Sequence, residues 1–223
     1  MKNTIIFGNN SSFKQKETLV FFINENLDLK LENKIFSGSN LNKIKFFLKN
    51  FKSKKSKDKI ISFDISEQNK LLFVIVKEKL VTNNFAELGA NFYSFAKANK
   101  INKINLYSDT LKSIKFYKKN TELFLNFIHG INLKSYSFDK YKTRDKNIYN
   151  FSLKIISSEK NLLSKKYFKY KAVESGVFYS RDLVSEPPNV LYPKKYVEIV
   201  KKLSSLGLKI QVYNESKMKK LGM

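Results

Sequence analysis

The chain has 223 residues, is 42% hydrophobic and carries a formal net charge of +24. It is long enough to bury a sizeable core in one or two domains. The lack of cysteine excludes disulfides, zinc–thiolate sites and thiol nucleophiles. The apolar run Ile5 to Phe7 is too short for a signal peptide, and no stretch reaches the roughly 18 apolar residues of a membrane span. We therefore expect a cytoplasmic protein without a membrane partner.

The basic charge allows two interpretations. A basic surface attracts polyanions such as nucleic acid and releases counterions on binding. However, only Arg144 and Arg181 among the 43 basic residues are arginine, and phosphate-binding surfaces favour the bidentate arginine fork. We therefore favour a solvated lysine surface that reflects an AT-rich codon composition. The best candidate for a polyanion patch lies in the dense basic run 43–59 and consists of Lys52, Lys54, Lys55 and Lys57.

The first part of the chain alternates between predicted strands and helices. Apolar runs with polar borders predict strands at residues 3–8, 17–24, 60–65, 71–76, 103–108 and 149–156. Helical spacing of apolar residues predicts helices over 41–51, over 85–99 with Asn84 as N-cap, and over about 120–135. This alternation predicts an α/β domain, with a mixed sheet and flanking helices, over residues 1–157.

The pattern changes after Ser158. Apolar residues then recur every three or four positions, which predicts a single helix over about 159–185, at Leu163, Tyr167, Tyr170, Val173 and Val177. Such a helix is roughly 40 Å long, a length more typical of a connector than of a core helix. A glycine inside a helix costs about 1 kcal/mol relative to alanine, so we expect Gly176 to permit close approach of another backbone.

The three prolines, Pro187, Pro188 and Pro193, follow this connector helix. They end it, and Pro193 is predicted to begin the next helix. Gly207 then ends that helix, residues 208–213 predict a strand, and Asn214 caps a short helix to Lys220. The predicted organisation is therefore a domain at 1–157, a connector helix at 158–186, and the incomplete start of a second α/β domain at 187–223.

Side chains suited to catalysis are few and scattered. His129 is the single histidine and has no adjacent nucleophile or metal motif, so we interpret it as structural. The Asp and Glu residues form no metal-binding pattern. Arg181, Asp182 and Glu186 are interpreted as ion pairs that fix the end of the connector helix. We predict no catalytic and no metal-binding residue within the chain.

Three segments resemble the leucyl (cytosol) aminopeptidase family. Residues 130–143, GINLKSYSFDKYKT, are similar to a segment late in the family's N-terminal domain. Residues 208–223, LKIQVYNESKMKKLGM, are similar to the segment that leads into its catalytic domain. Residues 172–193, AVESGVFYSRDLVSEPPNVLYP, carry the most specific match, at Gly176, Arg181, Asp182, Leu183, Pro187, Asn189 and Pro193. A weaker match is FAELGANFYSF, residues 85–95.

The resemblance implies a two-domain enzyme that releases N-terminal amino acids from peptides and assembles as a homohexamer. It also implies two divalent metals (zinc, manganese or magnesium), bound by lysine and carboxylate ligands of the catalytic domain. The motif that carries those ligands is missing from this sequence. We therefore expect an N-terminal portion that is inactive alone and contributes subunit shape and assembly. The alternative is a stand-alone basic module with weak affinity for nucleic acid.

Overall fold

The fold is built around one six-stranded sheet. The computed structural model describes residues 4–9, 17–29, 35–53, 59–67, 69–77, 81–114, 117, 121–144 and 149–223. The strands are β1 (Thr4–Gly8), β2 (Thr18–Asn24), β3 (Ile60–Ser66), β4 (Asn69–Val76), β5 (Lys103–Tyr107) and β6 (Ser152–Ile156). Their order is β1-β6-β5-β2-β4-β3. Every neighbouring pair is parallel except β3 and β4, so the predicted mixed α/β sheet is confirmed.

Six of the seven helices within the described residues correspond to predicted ones. They are α1 (Gly38–Ser53), α2 (Thr82–Ala98), α3 (Asp109–Lys112), α4 (Thr121–Lys134), α5 (Lys160–Ser185), α6 (Pro193–Lys201) and α7 (Glu215–Lys220). Only the one-turn α3 has no predicted counterpart. The long helix predicted over 159–185 is confirmed as α5.

Strand β2 shows why the sheet is covered on both faces. Val20 and Phe22 belong to a hydrophobic cluster that also contains side chains of α2, α4 and the first half of α5. Leu19, Phe21 and Ile23 belong to a second cluster, which includes α1. Successive side chains of a strand point to opposite faces, so a continuous apolar run requires apolar layers on both sides. The result is a three-layer arrangement.

Helices α2 and α4 approach each other closely at two glycines. A Cβ atom placed on Gly89 would lie 2.0 Å from the carbonyl oxygen of Phe127, and one placed on Gly130 would lie 1.8 Å from that of Ala86. Both distances are far below van der Waals contact. The two helices can therefore pack backbone to backbone only because both positions lack a side chain.

Three local predictions are wrong. Helix α2 begins at Thr82 with Val81 as N-cap, and Asn84 lies one turn inside, where its Oδ1 accepts a 3.2 Å hydrogen bond from the Val81 N–H. Outside its own helix backbone, no atom of the described residues lies within 4 Å of a Cβ placed on Gly176, so no second backbone from these residues approaches that position. Residues 208–213 form no strand, because a strand needs a pairing partner and residues 177–223, all of which are described, contain none.

The chain divides into two compact units, Met1–Gly176 and Val177–Met223. The division falls inside α5, and the buried residues of this helix, Leu163, Tyr167 and Glu174, all precede it. The sequence had placed the end of the first domain at residue 157. In the second unit no side chain is buried. Among the described residues, no helix is both long and apolar enough to cross a membrane.

Candidate functional site

The most unusual polar feature of the first unit is the buried carboxylate of Glu174, which is 1% exposed. Helix α4 supplies two donors: Nδ1 of His129 lies 2.8 Å from Oε1, and Nδ2 of Asn132 lies 2.5 Å from Oε2. Tyr167, two turns earlier on α5, donates its hydroxyl to Oε2 at 2.9 Å. These four residues form what we call the Glu174 cluster. A buried carboxylate is tolerated only when donors satisfy it, and here three do.

The carboxylate also decides the form of the histidine and the tyrosine. Because a carboxylate only accepts hydrogen bonds, Nδ1 of His129 carries the proton. Burial, and secondarily the Glu174 carboxylate, raise the pKa of the Tyr167 hydroxyl, which therefore remains a donor. The cluster thus joins α4 to the first half of α5, and the interpretation of His129 as a structural residue agrees with its place there.

A second polar group lies one turn away and nearer to solvent. The Tyr170 hydroxyl accepts a hydrogen bond from Asn126 Nδ2 at 2.9 Å and donates to Glu122 Oε2 at 2.7 Å. Burial, together with this hydrogen bond to Glu122, raises the pKa of Tyr170 to about 12. The ring of Tyr170 stands edge-on to the ring of His129, with centroids 5.4 Å apart. Tyr170 therefore connects this group to the Glu174 cluster.

The residues of the predicted signature lie along one stretch of backbone, from the second half of α5 to the start of α6. Arg181, Asp182 and Leu183 lie near the C-terminal end of α5, and the Leu183 carbonyl accepts a hydrogen bond from the Glu186 N–H at 3.3 Å. The Pro187 carbonyl accepts from the N–H groups of Val190 and Leu191, both at 2.9 Å, in a turn that also contains Asn189.

Pro193 then lies in the first turn of α6, as predicted. The signature thus spans the end of one helix, a turn and the start of the next helix. The ion pairs expected for Arg181, Asp182 and Glu186 stay a prediction. The other signature residues have defined positions in the backbone. Gly176 lies inside α5, the Leu183 and Pro187 carbonyls accept backbone hydrogen bonds, and Pro193 lies at the start of α6.

The predicted lysine patch is described only at its first member. Lys52 lies exposed in the last turn of α1, while Lys54, Lys55 and Lys57 lie outside the described residues. The patch therefore stays a prediction.

Sequence reasoning missed Glu174, although a signal was present. The predicted apolar face of the connector stepped from Tyr170 to Val173 and Val177, yet Val173 is 50% exposed and Glu174 takes the buried position. The spacing Leu163, Tyr167, Tyr170, Glu174 is equally helical. A carboxylate on a buried helical face, with the single histidine elsewhere in the chain, could have suggested their pairing.

Comparisons with known proteins identify the family. No family model matches the chain. A "Probable cytosol aminopeptidase" from Phytoplasma australiense is 32% identical over 148 residues, which is 66% of this chain and 29% of that protein. A protein of the same name from Chelativorans sp. (strain BNC1) is 45% identical over 98 residues, which is 42% of this chain and 20% of that protein. Another from Methylorubrum populi is 39% identical over 100 residues, which is 44% of this chain and 20% of that protein. These relatives support the assignment of the matched residues to the leucyl aminopeptidase family.

A solved structure supports the fold of that family. A mutant of tomato leucine aminopeptidase superposes with a TM-score of 0.72 at 18% identity, covering 100% of this chain and 46% of that one. The named sequence relatives confirm the predicted resemblance to the leucyl aminopeptidases, and the solved structure shows the fold alone. In each of these comparisons the matched part spans less than half of the relative's own length.

Leucyl aminopeptidases are metal-dependent, and the residues present here do not fit such a centre. Within the described parts of the chain, no three His, Asp or Glu side chains come together in a group that could hold a metal ion. Both oxygens of Glu174 already accept hydrogen bonds from the cluster. We therefore assign no chemical step to a metal bound by the described residues.

Proposed function

We propose that this chain forms the N-terminal part of a metal-dependent leucyl aminopeptidase, an enzyme that releases N-terminal amino acids from peptides. In this proposal residues 1–223 contribute subunit shape and assembly, and the metals and the catalytic groups belong to the catalytic domain. The observation that carries the proposal is the family membership together with coverage of only 29% of the Phytoplasma australiense relative.

The second unit supports a role in assembly with further polypeptide. Most of the exposed large hydrophobic side chains among the described residues lie in it, namely Tyr179, Val184, Val190, Tyr192, Tyr196, Leu206, Leu208, Val212, Tyr213, Met218, Leu221 and Met223. Exposed apolar side chains in such number leave apolar surface that a partner can cover. We propose that a catalytic domain covers it in the complete enzyme.

The finer properties of the enzyme follow from the same proposal. We infer a homohexamer, peptide substrates, and two divalent cations among zinc, manganese and magnesium in the catalytic domain. Two cations suit peptide hydrolysis, because one can polarise the scissile carbonyl while a bridging water is deprotonated near neutral pH. A cytoplasmic location is also part of the proposal, supported by the word "cytosol" in the relatives' names.

A chimaera tests the proposal. The aligned part of the Phytoplasma australiense relative is replaced by the corresponding part of this chain, and the product is assayed for hydrolysis of leucine p-nitroanilide with zinc, manganese or magnesium. Its mass is measured by light scattering. We expect the same oligomer as the parent protein, and metal-dependent turnover.

The matched control is a second chimaera with the same exchanged part and the substitution Leu183→Asp. This substitution places a charge at a half-buried position near the end of α5. We expect this control to lose assembly and turnover together. A chimaera that reaches the parent's oligomeric state and normal helix content, yet shows no turnover, contradicts the proposed role as an N-terminal part.

A further inference from the structure

A groove with a basic rim runs between α4 and α5 in the first unit. It has a volume of about 750 Å³ and is lined by Glu122, Asn126 and His129 of α4, and by Leu162, Lys165, Lys166, Lys169, Tyr170 and Val173 of α5. This volume falls in the range of small-molecule sites, roughly 300–1,000 Å³. We call it the α4–α5 groove.

The floor of the groove is fixed before any ligand binds. Tyr170 is held by Asn126 at 2.9 Å and by Glu122 at 2.7 Å. His129 is held by the buried Glu174 at 2.8 Å. Because these side chains are already ordered by their hydrogen bonds, a ligand that contacts them meets a smaller entropic penalty.

The walls combine apolar surface with positive charge. Leu162 and Val173 are 43% and 50% exposed, and they bracket the three lysines along one side of α5. Glu122 is the one carboxylate among the described residues that line the groove. Its Oε1 lies 4.0 Å from Lys166 Nζ, and its Oε2 accepts a hydrogen bond from the Tyr170 hydroxyl. Because three lysines and one glutamate line the groove, its net charge is positive.

We propose that the α4–α5 groove binds a small amphipathic anion, such as a carboxylate carried on an aliphatic or aromatic body. The apolar body lies along Leu162, Tyr170 and Val173, and the anionic group is held by Lys165 and Lys169. Charge complementarity and the apolar walls together select this class over a neutral apolar molecule or a small hydrophilic anion. The proposal is independent of the proposed function.

The test is a calorimetric titration of the full 223-residue chain with three probes. Decanoate, below its micellar concentration, has both features of the proposed ligand, decanol has only the chain, and acetate has only the charge. We expect decanoate to bind with 1:1 stoichiometry and decanol and acetate to bind at least about tenfold more weakly, a difference of about 1.4 kcal/mol. Amide chemical-shift changes should be confined to residues 122–129 and 162–173.

Two variants with the same change of charge separate this site from general electrostatic attraction. Lys165→Ala/Lys169→Ala removes the rim, and we expect decanoate affinity to fall about tenfold. Lys209→Ala/Lys217→Ala removes two exposed lysines of the second unit and should leave the affinity unchanged. Circular dichroism verifies that both variants are folded.

Several outcomes overturn the proposal. These are equal affinity for decanol and decanoate, equal losses in the two double variants, shift changes outside the groove, or no decanoate binding in the millimolar range. Binding of an acidic amphipathic peptide without binding of decanoate would assign the groove to a protein partner and likewise overturn it.

Discussion

The two units of this chain use apolar residues in opposite ways. In Met1–Gly176 the strand β2 is buried from Thr18 to Ile23, and helices pack on both faces of the sheet. In Val177–Met223 no side chain is buried, although tyrosine, valine, leucine and methionine are all present. The difference therefore lies in the partners available to these side chains and not in residue type.

The contrast shows which elements form from interactions between residues that are close in sequence. In the second unit Pro193 begins α6, Gly207 adopts a left-handed φ of 86° after a 3-10 turn at Lys202–Leu206, and Asn214 accepts a 3.0 Å hydrogen bond from the Lys217 N–H. These are interactions between neighbours in sequence. Residues 208–213, which require a distant partner to become a strand, remain unpaired.

The largest expected effect is at the glycine crossing of the first unit. Gly130→Ala places a methyl group 1.8 Å from the Ala86 carbonyl oxygen, and α2 and α4 must then separate. We expect a loss of about 3 kcal/mol or more in the free energy of unfolding, measured by urea denaturation.

The matched control is Gly176→Ala, at a position with no atom within 4 Å of the new methyl group. It should stabilise the chain slightly, because alanine favours the helix by about 1 kcal/mol. If both substitutions change stability equally, the close approach of α2 and α4 does not hold in solution.

The next effect is at the Glu174 cluster. Glu174→Ala removes a buried acceptor and leaves donors from His129, Asn132 and Tyr167 without their partner. We expect a loss of about 3 kcal/mol in unfolding free energy. Glu198→Ala, which removes an exposed carboxylate paired with Lys195 in the second unit, should have no measurable effect. Similar losses for both would show that the cluster contributes nothing beyond surface charge.

A smaller effect is expected in alkaline solution. The pKa of Tyr170 is raised to about 12 in the folded chain, first by burial and then by Glu122, while the unfolded side chain ionises near 10. Between these values the folded state keeps a proton that the unfolded state has lost, so stability falls as pH rises. Tyr170→Phe should make the decline between pH 10 and 12 shallower.

Tyr213→Phe removes the same hydroxyl from the second unit and serves as the control in these alkaline denaturation curves. An unchanged slope in Tyr170→Phe, or an equal change in both variants, would contradict the role given to Tyr170.

The smallest effect is expected from removing part of the second unit. Residues 187–223 bury no side chain, so their deletion removes little buried apolar area. The melting temperature of the remaining chain should be nearly unchanged in calorimetry. A large drop would mean that these residues contribute to the first unit's stability, and the contrast between the two units would fail.

The sequence predicted the fold well where the signal was continuous or local. The uninterrupted apolar run of β2 and the helical spacing of α5 both appear as expected. The predicted N-cap at Asn84 was wrong by about one turn. Val81, in extended conformation, is the N-cap, and the Asn84 side chain accepts a hydrogen bond from the Val81 N–H. A capping residue and a residue at the third position have the same side-chain chemistry.

The candidate site was harder to predict because its members are far apart in sequence. Glu174 meets His129 and Asn132 across 45 and 42 positions, and only the packing of α5 against α4 brings them together. Gly89 and Gly130 show the same limitation, since each is an isolated glycine until the two helices cross. Conversely, Gly176 belongs to the signature that carried the family resemblance, but its Cβ position faces open space among the described residues.

The most direct test of the proposed division of labour is an aminopeptidase assay on the purified 223-residue chain alone. Leucine p-nitroanilide is offered with zinc, manganese or magnesium, alongside a calorimetric titration of each metal. We predict no turnover and no tight binding of two cations, because the described residues provide no group of metal ligands. Stoichiometric binding of two metals, or turnover that survives repurification, would contradict the assignment of catalysis to residues outside this chain.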